Sequence, residues 1–195
     1  MSSFGVADHP EMFERIIKAY AEPHRHYHTA AHIDACLREF DSVRSLAQSG
    51  SEVEAALWFH DVIYDTRASD NELQSAEMAW RFLASSGVSS SIHARVYSHI
   101  LATAHKGKPD DDDARLVVDI DLSILGQDEQ VYDVFERSVR EEYKWVPRFL
   151  YRRKRIEILH SFLARDSIYG TEPFRQRYES AARSNLERAI RELKQ

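Results

Sequence analysis

Residues 53–64 read Val-Glu-Ala-Ala-Leu-Trp-Phe-His-Asp-Val-Ile-Tyr. Apolar side chains fill most of these positions, leaving no consistently polar face. That pattern predicts a helix packed on all sides, at the centre of an α-helical bundle. His60 and Asp61 interrupt the run. A polar group taken out of water without a partner costs about 1–3 kcal/mol, and an unpaired charge costs more. A divalent metal is one partner for an imidazole and a carboxylate, although a lone buried histidine is more often hydrogen-bonded in a core.

Helical periodicity extends outward from this segment. Asp8 and Pro10 mark the start of a first helix striped by Phe13, Ile16, Ile17 and Tyr20, which Pro23 ends. A second helix is predicted over 30–48 with Thr29 as its cap. Ser51 with Glu54, and Ser69 with Glu72, have capping-box spacing before helices over 53–64 and to about Ser86. Further helices are predicted from Ser89 or Ser90 to Thr103, over 116–125, over 128–145 and over 150–168. Thr171 or Glu172 caps a last one, with Pro173 in its first turn, which runs to the end. The stretch 106–113, with Gly107, Pro109 and four successive aspartates, reads as a loop. Few segments alternate with a period of two, and there is no glycine-rich phosphate loop. The fold class is therefore all-α.

Two further stretches carry chemistry. Residues 25–32 read Arg-His-Tyr-His-Thr-Ala-Ala-His, with His28 and His32 four apart and facing one way if helical. Residues 117–122, Val-Val-Asp-Ile-Asp-Leu, set Asp119 and Asp121 in an apolar run, where solvent exposure or simple capping accounts for them poorly. Brought together with His60 and Asp61, two imidazoles and two carboxylates make a mixed nitrogen and oxygen site. Such a site suits Mn, Fe, Zn, Co or Ni, and suits Mg less.

The order of an early His, a His-Asp dyad and a late Asp resembles the HD phosphohydrolase superfamily. Arg25 to Ile33, Trp58 to Asp65, Asp70 to Ala76 and Asp119 to Gly126 are similar to a small group of HD-type metal-dependent phosphohydrolases. So are Val139-Arg140-Glu141-Glu142-Tyr143, Arg155, Ile168-Tyr169 and Ala182-Arg183-Ser184-Asn185-Leu186, so the resemblance covers nearly the whole chain. It implies a compact HD-domain helical bundle forming a single domain over 1–195, with the C-terminal helices as a family-specific extension. It implies metal-dependent hydrolysis of a phosphate ester, the substrate being a nucleotide or another small phosphorylated molecule.

Carried over by residue, the resemblance implies His32, His60, Asp61 and a late Asp as metal ligands. Asp121 is preferred for the last place. Asp119 competes, because the offset to Leu122 departs from the commoner Asp-x-Leu form. The Tyr27-His28-Thr29-x-x-His32 spacing looks like that of cyclic-nucleotide phosphodiesterases, which implies that His28 protonates the leaving oxygen. Its alternative is a capping or supporting histidine. Asp61 or the late Asp would position the attacking water. Arg25 is a candidate phosphate clamp or an ordinary ion pair. Glu72, Asp65 and His105 are candidates for supporting the site or replacing a ligand. Arg140, Lys144, Arg152, Lys154 and Arg155 could form a recognition patch.

Two other functions stay open. The superfamily has an oxygenase branch, so a di-iron oxygenase using His99 or His105 is one alternative. A catalytically inactive, metal-stabilised binding module is the other, with Tyr151, Tyr169, Phe174 and Tyr178 as partner contacts or as core.

Composition sets bounds. The 195 residues carry 26 basic and 32 acidic side chains, a net charge of −6 that disfavours general nucleic-acid binding. Cys36 is the single cysteine, so an intrachain disulfide is excluded and a buried structural thiol is expected. No signal-like leader or membrane-spanning run is read, so a soluble, cytoplasmic chain without membrane contact is expected. The sequence does not specify an oligomeric state.

Overall fold

In a computed structural model, the structure describes residues 9–195. The proposed Asp8 cap lies outside the described residues. Among them there are nine α-helices and no strand: α1 Pro10–Tyr20, α2 Ala30–Val43, α3 Gly50–Phe59, α4 Asn71–Ser85, α5 Ser90–Ala102, α6 Asp112–Asp121, α7 Glu129–Glu142, α8 Arg148–Leu163 and α9 Glu172–Leu193. No helix among them is long and apolar enough to cross a membrane. The chain divides into two compact units, one ending at Asp121 and one covering Leu122–Gln195.

In the first unit α3 is central and packs against α2, α4, α5 and α6. Val53, Ala55, Ala56, Leu57 and Phe59 are all buried, as an apolar circumference requires. This helix is shorter than expected. It ends at Phe59, and His60 and Asp61 begin the turn that follows. The Ser51–Glu54 capping box does not form. Ser49 is the cap residue, and it makes no side-chain cap bond. Buried Asp113 serves instead: its Oδ1 accepts from the Gln48 amide at 2.8 Å and its Oδ2 from the Ser49 amide at 2.8 Å. A carboxylate from α6 thus meets the positive end of α3. α6 also starts earlier than predicted, because Asp111 accepts from the Ala114 amide at 2.8 Å and opens the helix inside the acidic run.

In the second unit a 3₁₀ segment, Leu122–Gly126, packs against α9 and α7. Asn185 donates to the carbonyls of Leu125 and Gln127 at 3.0 and 2.8 Å, and the Tyr169 hydroxyl donates to Leu122 O at 3.1 Å. Tyr151, Tyr169, Phe174 and Tyr178, weighed as partner contacts, are all buried. The last three stack on one another with ring centres 5.7–6.2 Å apart, the arrangement of a core.

Candidate metal centre

Three elements of the first unit deliver the polar side chains. Extended Thr29 precedes α2, so His32 falls in its first turn, 5 % exposed. His60 stands immediately after α3 and is still held by its amide to Ala56 O at 2.9 Å. Asp121 is the last residue of α6.

His32 Nε2 and His60 Nε2 are 3.1 Å apart. Asp61 Oδ2 lies 3.1 Å from His60 Nε2 and 3.6 Å from His32 Nε2. Asp121 Oδ1 lies 3.3 Å from His32 Nε2 and 3.6 Å from His60 Nε2. Atoms about 2.1 Å from a shared ion are separated by roughly 3.0 Å at right angles and roughly 3.4 Å at the tetrahedral angle. The observed separations match that spacing. The rings are also correctly presented. His60 Nδ1 is 2.9 Å from Leu57 O, and a carbonyl only accepts, so Nδ1 carries the proton. A neutral His60 therefore turns the lone pair of Nε2 toward the cluster.

The electrostatics favour a cation at this point. Burial opposes charge on His60, but Asp61 and Asp121 outweigh it and hold its pKa well above the ordinary value. Burial also raises both carboxylates, yet Asp61 is pulled below its usual range, chiefly by His60 and then His28. Asp121 is pulled well below by hydrogen bonds from His105, His32 and His60. Without an ion, a proton on His60 supplies positive charge beside the carboxylates.

A second candidate cluster, His32, Cys36 and Asp121, shares two of these side chains. Cys36 Sγ is 3.7 Å from His32 Nδ1. Burial, reinforced by Asp121 and Asp61, pushes its thiol well above the usual range. His32, His60 and Asp61 form the other cluster, whose donors are imidazole nitrogens and a carboxylate oxygen alone. The i, i+4 spacing of His32 and Cys36 was the available signal for this proximity.

The other candidates fall in several places. Asp119 is fully buried and is in neither cluster; two residues before Asp121 on one helix, it faces the other way. His105 has a positive φ of 54°, a conformation histidine adopts more readily than most residues, and its Nε2 reaches Asp121 Oδ2 at 3.1 Å. His28 stacks on Tyr64 with ring centres 4.2 Å apart and lies 6.0 Å from the His32 ring. Glu72 is in the first turn of α4, and Asp65 shapes its own loop through Arg67 N and the Asn71 amide; neither is in a cluster. His99 Nε2 pairs with Asp111 at 3.0 Å, at the start of α6, and is in neither cluster.

Of the two readings of Arg25, the structure shows the ion pair, with main-chain acceptors added to it. Its side chain is 1 % exposed, and its guanidinium is taken up by Glu22 at 2.9 Å, Asp61 O at 2.6 Å, Val62 O at 3.0 Å and His28 O at 3.3 Å. It ties the segment carrying His28 to the turn carrying Asp61, rather than offering a fork to a phosphate. The sequence lacked the signal because the acceptors are main-chain carbonyls, which any residue supplies.

No protein-family model, curated protein or solved structure matches the chain. The all-α architecture and the two His/Asp/Cys clusters consistent with a metal site are what the fold and geometry establish.

Proposed function

We propose that this chain is a metal-dependent phosphohydrolase of the HD type, acting on a small phosphorylated molecule such as a nucleotide. The supporting observation is that the Nε2 atoms of His32 and His60 lie 3.1 Å apart and each lies 3.1–3.6 Å from an Asp61 and an Asp121 carboxylate oxygen, with His28 beside them. The first unit would be the HD core and Leu122–Gln195 its extension.

His32, His60, Asp61 and Asp121 would hold a divalent transition ion. When bound, such an ion polarises a phosphoryl oxygen and lowers the pKa of water. The protein residues do the rest. Leu57 O fixes the His60 tautomer, and His105 orients Asp121. Asp61 accepts a hydrogen bond from the attacking water and sets its direction. His28, held flat on Tyr64, gives a proton to the leaving oxygen. Arg25 positions His28 relative to Asp61 through their carbonyls.

A metal-replete screen over phosphate monoesters, cyclic nucleotides and nucleoside polyphosphates tests this reading. Hydrolysis of at least one class is expected, lost on chelation and in Asp121→Asn. A wild-type protein that holds its metal and hydrolyses none of the panel contradicts it.

A further inference from the structure

A second polar cluster lies wholly within Leu122–Gln195. Tyr151, in the first turn of α8, is 8 % exposed, and its hydroxyl has no hydrogen-bond partner among the described residues. Covered hydroxyls are nearly always paired, so an exception calls for a missing partner. The surroundings indicate its sign. The Arg140 guanidinium carbon is 4.6 Å from the centre of the Tyr151 ring. Arg140 donates through Nη1 to Tyr143 O at 2.7 Å and through Nη2 to Val146 O at 3.2 Å, which leaves Nε outside these bonds. Arg155 grips Glu136 through Nε at 3.1 Å and Nη2 at 2.6 Å, which leaves Nη1 outside.

Glu136 is the acid that Arg155 binds, and the Tyr132 hydroxyl also donates to it at 2.8 Å. Between Lys144 and Arg155 the chain carries Lys144, Arg148, Arg152, Arg153, Lys154 and Arg155, and no carboxylate. Arg153 and Lys154 meet Glu157, while Lys144 and Arg148 are exposed to solvent. Burial pushes the Tyr151 phenol up to about 12, against the pull of Arg155 and Arg140. The hydroxyl therefore keeps its proton and is a donor at neutral pH.

We propose that Arg140, Tyr151 and Arg155 form a binding site for a small phosphate-class anion, which supplies the acceptor that the Tyr151 hydroxyl lacks. A phosphate offers several oxygens to several donors, and guanidinium groups fit it in a way a point charge does not. The surrounding cations raise the local concentration of such an anion on a chain whose overall charge is negative. Entry requires the turn at 143–147, between α7 and α8, to yield. This site is independent of the hydrolytic reading, because it needs neither a metal nor turnover.

The test is calorimetric titration of the chelator-treated full chain with inorganic phosphate and with pyrophosphate, paired with melting curves. Wild type is expected to bind and to melt higher with the anion. Tyr151→Phe keeps the ring and removes the donor. It is expected to bind at least ten-fold more weakly, with an anion-free melting temperature equal to or above that of wild type. Arg152→Gln is expected to weaken binding by a smaller factor and to flatten its salt dependence. Absence of wild-type binding overturns the proposal. So does Tyr151→Phe binding as tightly as wild type at whatever melting temperature, which would leave the hydroxyl without a part in anion binding.

Discussion

At His60 burial and attraction oppose each other, and attraction to two carboxylates wins. The consequence for metal-free protein has a definite sign. A raised imidazole pKa contributes stability that is complete below its ordinary value of 6.5 and is lost as pH rises through the folded value. The lowered pKa values of Asp61 and Asp121 contribute stability that is complete above 3.8 and is lost as pH falls through theirs. The cluster should therefore stabilise chelated protein most between those limits. Calorimetry of wild type against Asp121→Asn in chelator is predicted to give the largest gap near pH 5, shrinking toward pH 9. A gap that widens steadily above pH 6.5 would refute this. Metal replaces the proton, so the melting shift produced by metal is predicted to grow over the same range. His28 makes a separate prediction. His28→Ala should cut turnover by about 10²-fold or more while metal content stays at the wild-type level, because its proposed part is proton transfer. Loss of metal along with activity would instead make it a structural histidine.

Among the elements, the helices were legible and their ends were not. α1 begins at Pro10, as the proline signal predicted, though its cap position is His9, and α9 begins at Glu172 after Thr171, one of the two predicted cap residues. α3 was misjudged at both ends for physical reasons. Its cap comes from Asp113, distant in sequence, and local pattern carries no trace of such a partner. Its apolar run continues into Val62, which is buried in a turn rather than in helix. Asp113→Ala should therefore destabilise the first unit by about 1–2 kcal/mol, the usual worth of a helix N-cap. Urea unfolding would detect it as a lower midpoint, and an unchanged midpoint would show the Gln48 and Ser49 amides satisfied by water. His60, Asp61, Asp119 and Asp121 stood out in the sequence as polar residues in apolar runs, and the resemblance to HD-type proteins added His32 to the candidate ligands. Tyr64 and the carbonyl partners of Arg25 could not, because nothing local marks them.

For the molecule as a whole, the division at Asp121 separates two kinds of order. The first unit organises apolar helices around a charged cluster, and the second organises aromatic side chains around the 3₁₀ segment Leu122–Gly126. That segment depends on a missing side chain. A Cβ at Gly126 would lie 2.6 Å from Tyr178 Cβ and 2.8 Å from its carbonyl oxygen, neither of which can swing aside. Gly126→Ala is predicted to cost about 1–3 kcal/mol, measured as a lowered denaturation midpoint with an unchanged slope. A variant as stable as wild type would mean that α9 shifts freely along the segment. The central claim concerns the first unit, where His32, His60, Asp61 and Asp121 are proposed to hold a divalent ion for phosphate-ester hydrolysis. The most direct measurement is metal stoichiometry by elemental analysis, taken with phosphate release, on wild type and on His60→Ala shown by circular dichroism to be folded. The account predicts one transition ion per wild-type chain, with ion and hydrolysis lost together in the variant. A folded His60→Ala that keeps its ion, or that hydrolyses as wild type does, would contradict it.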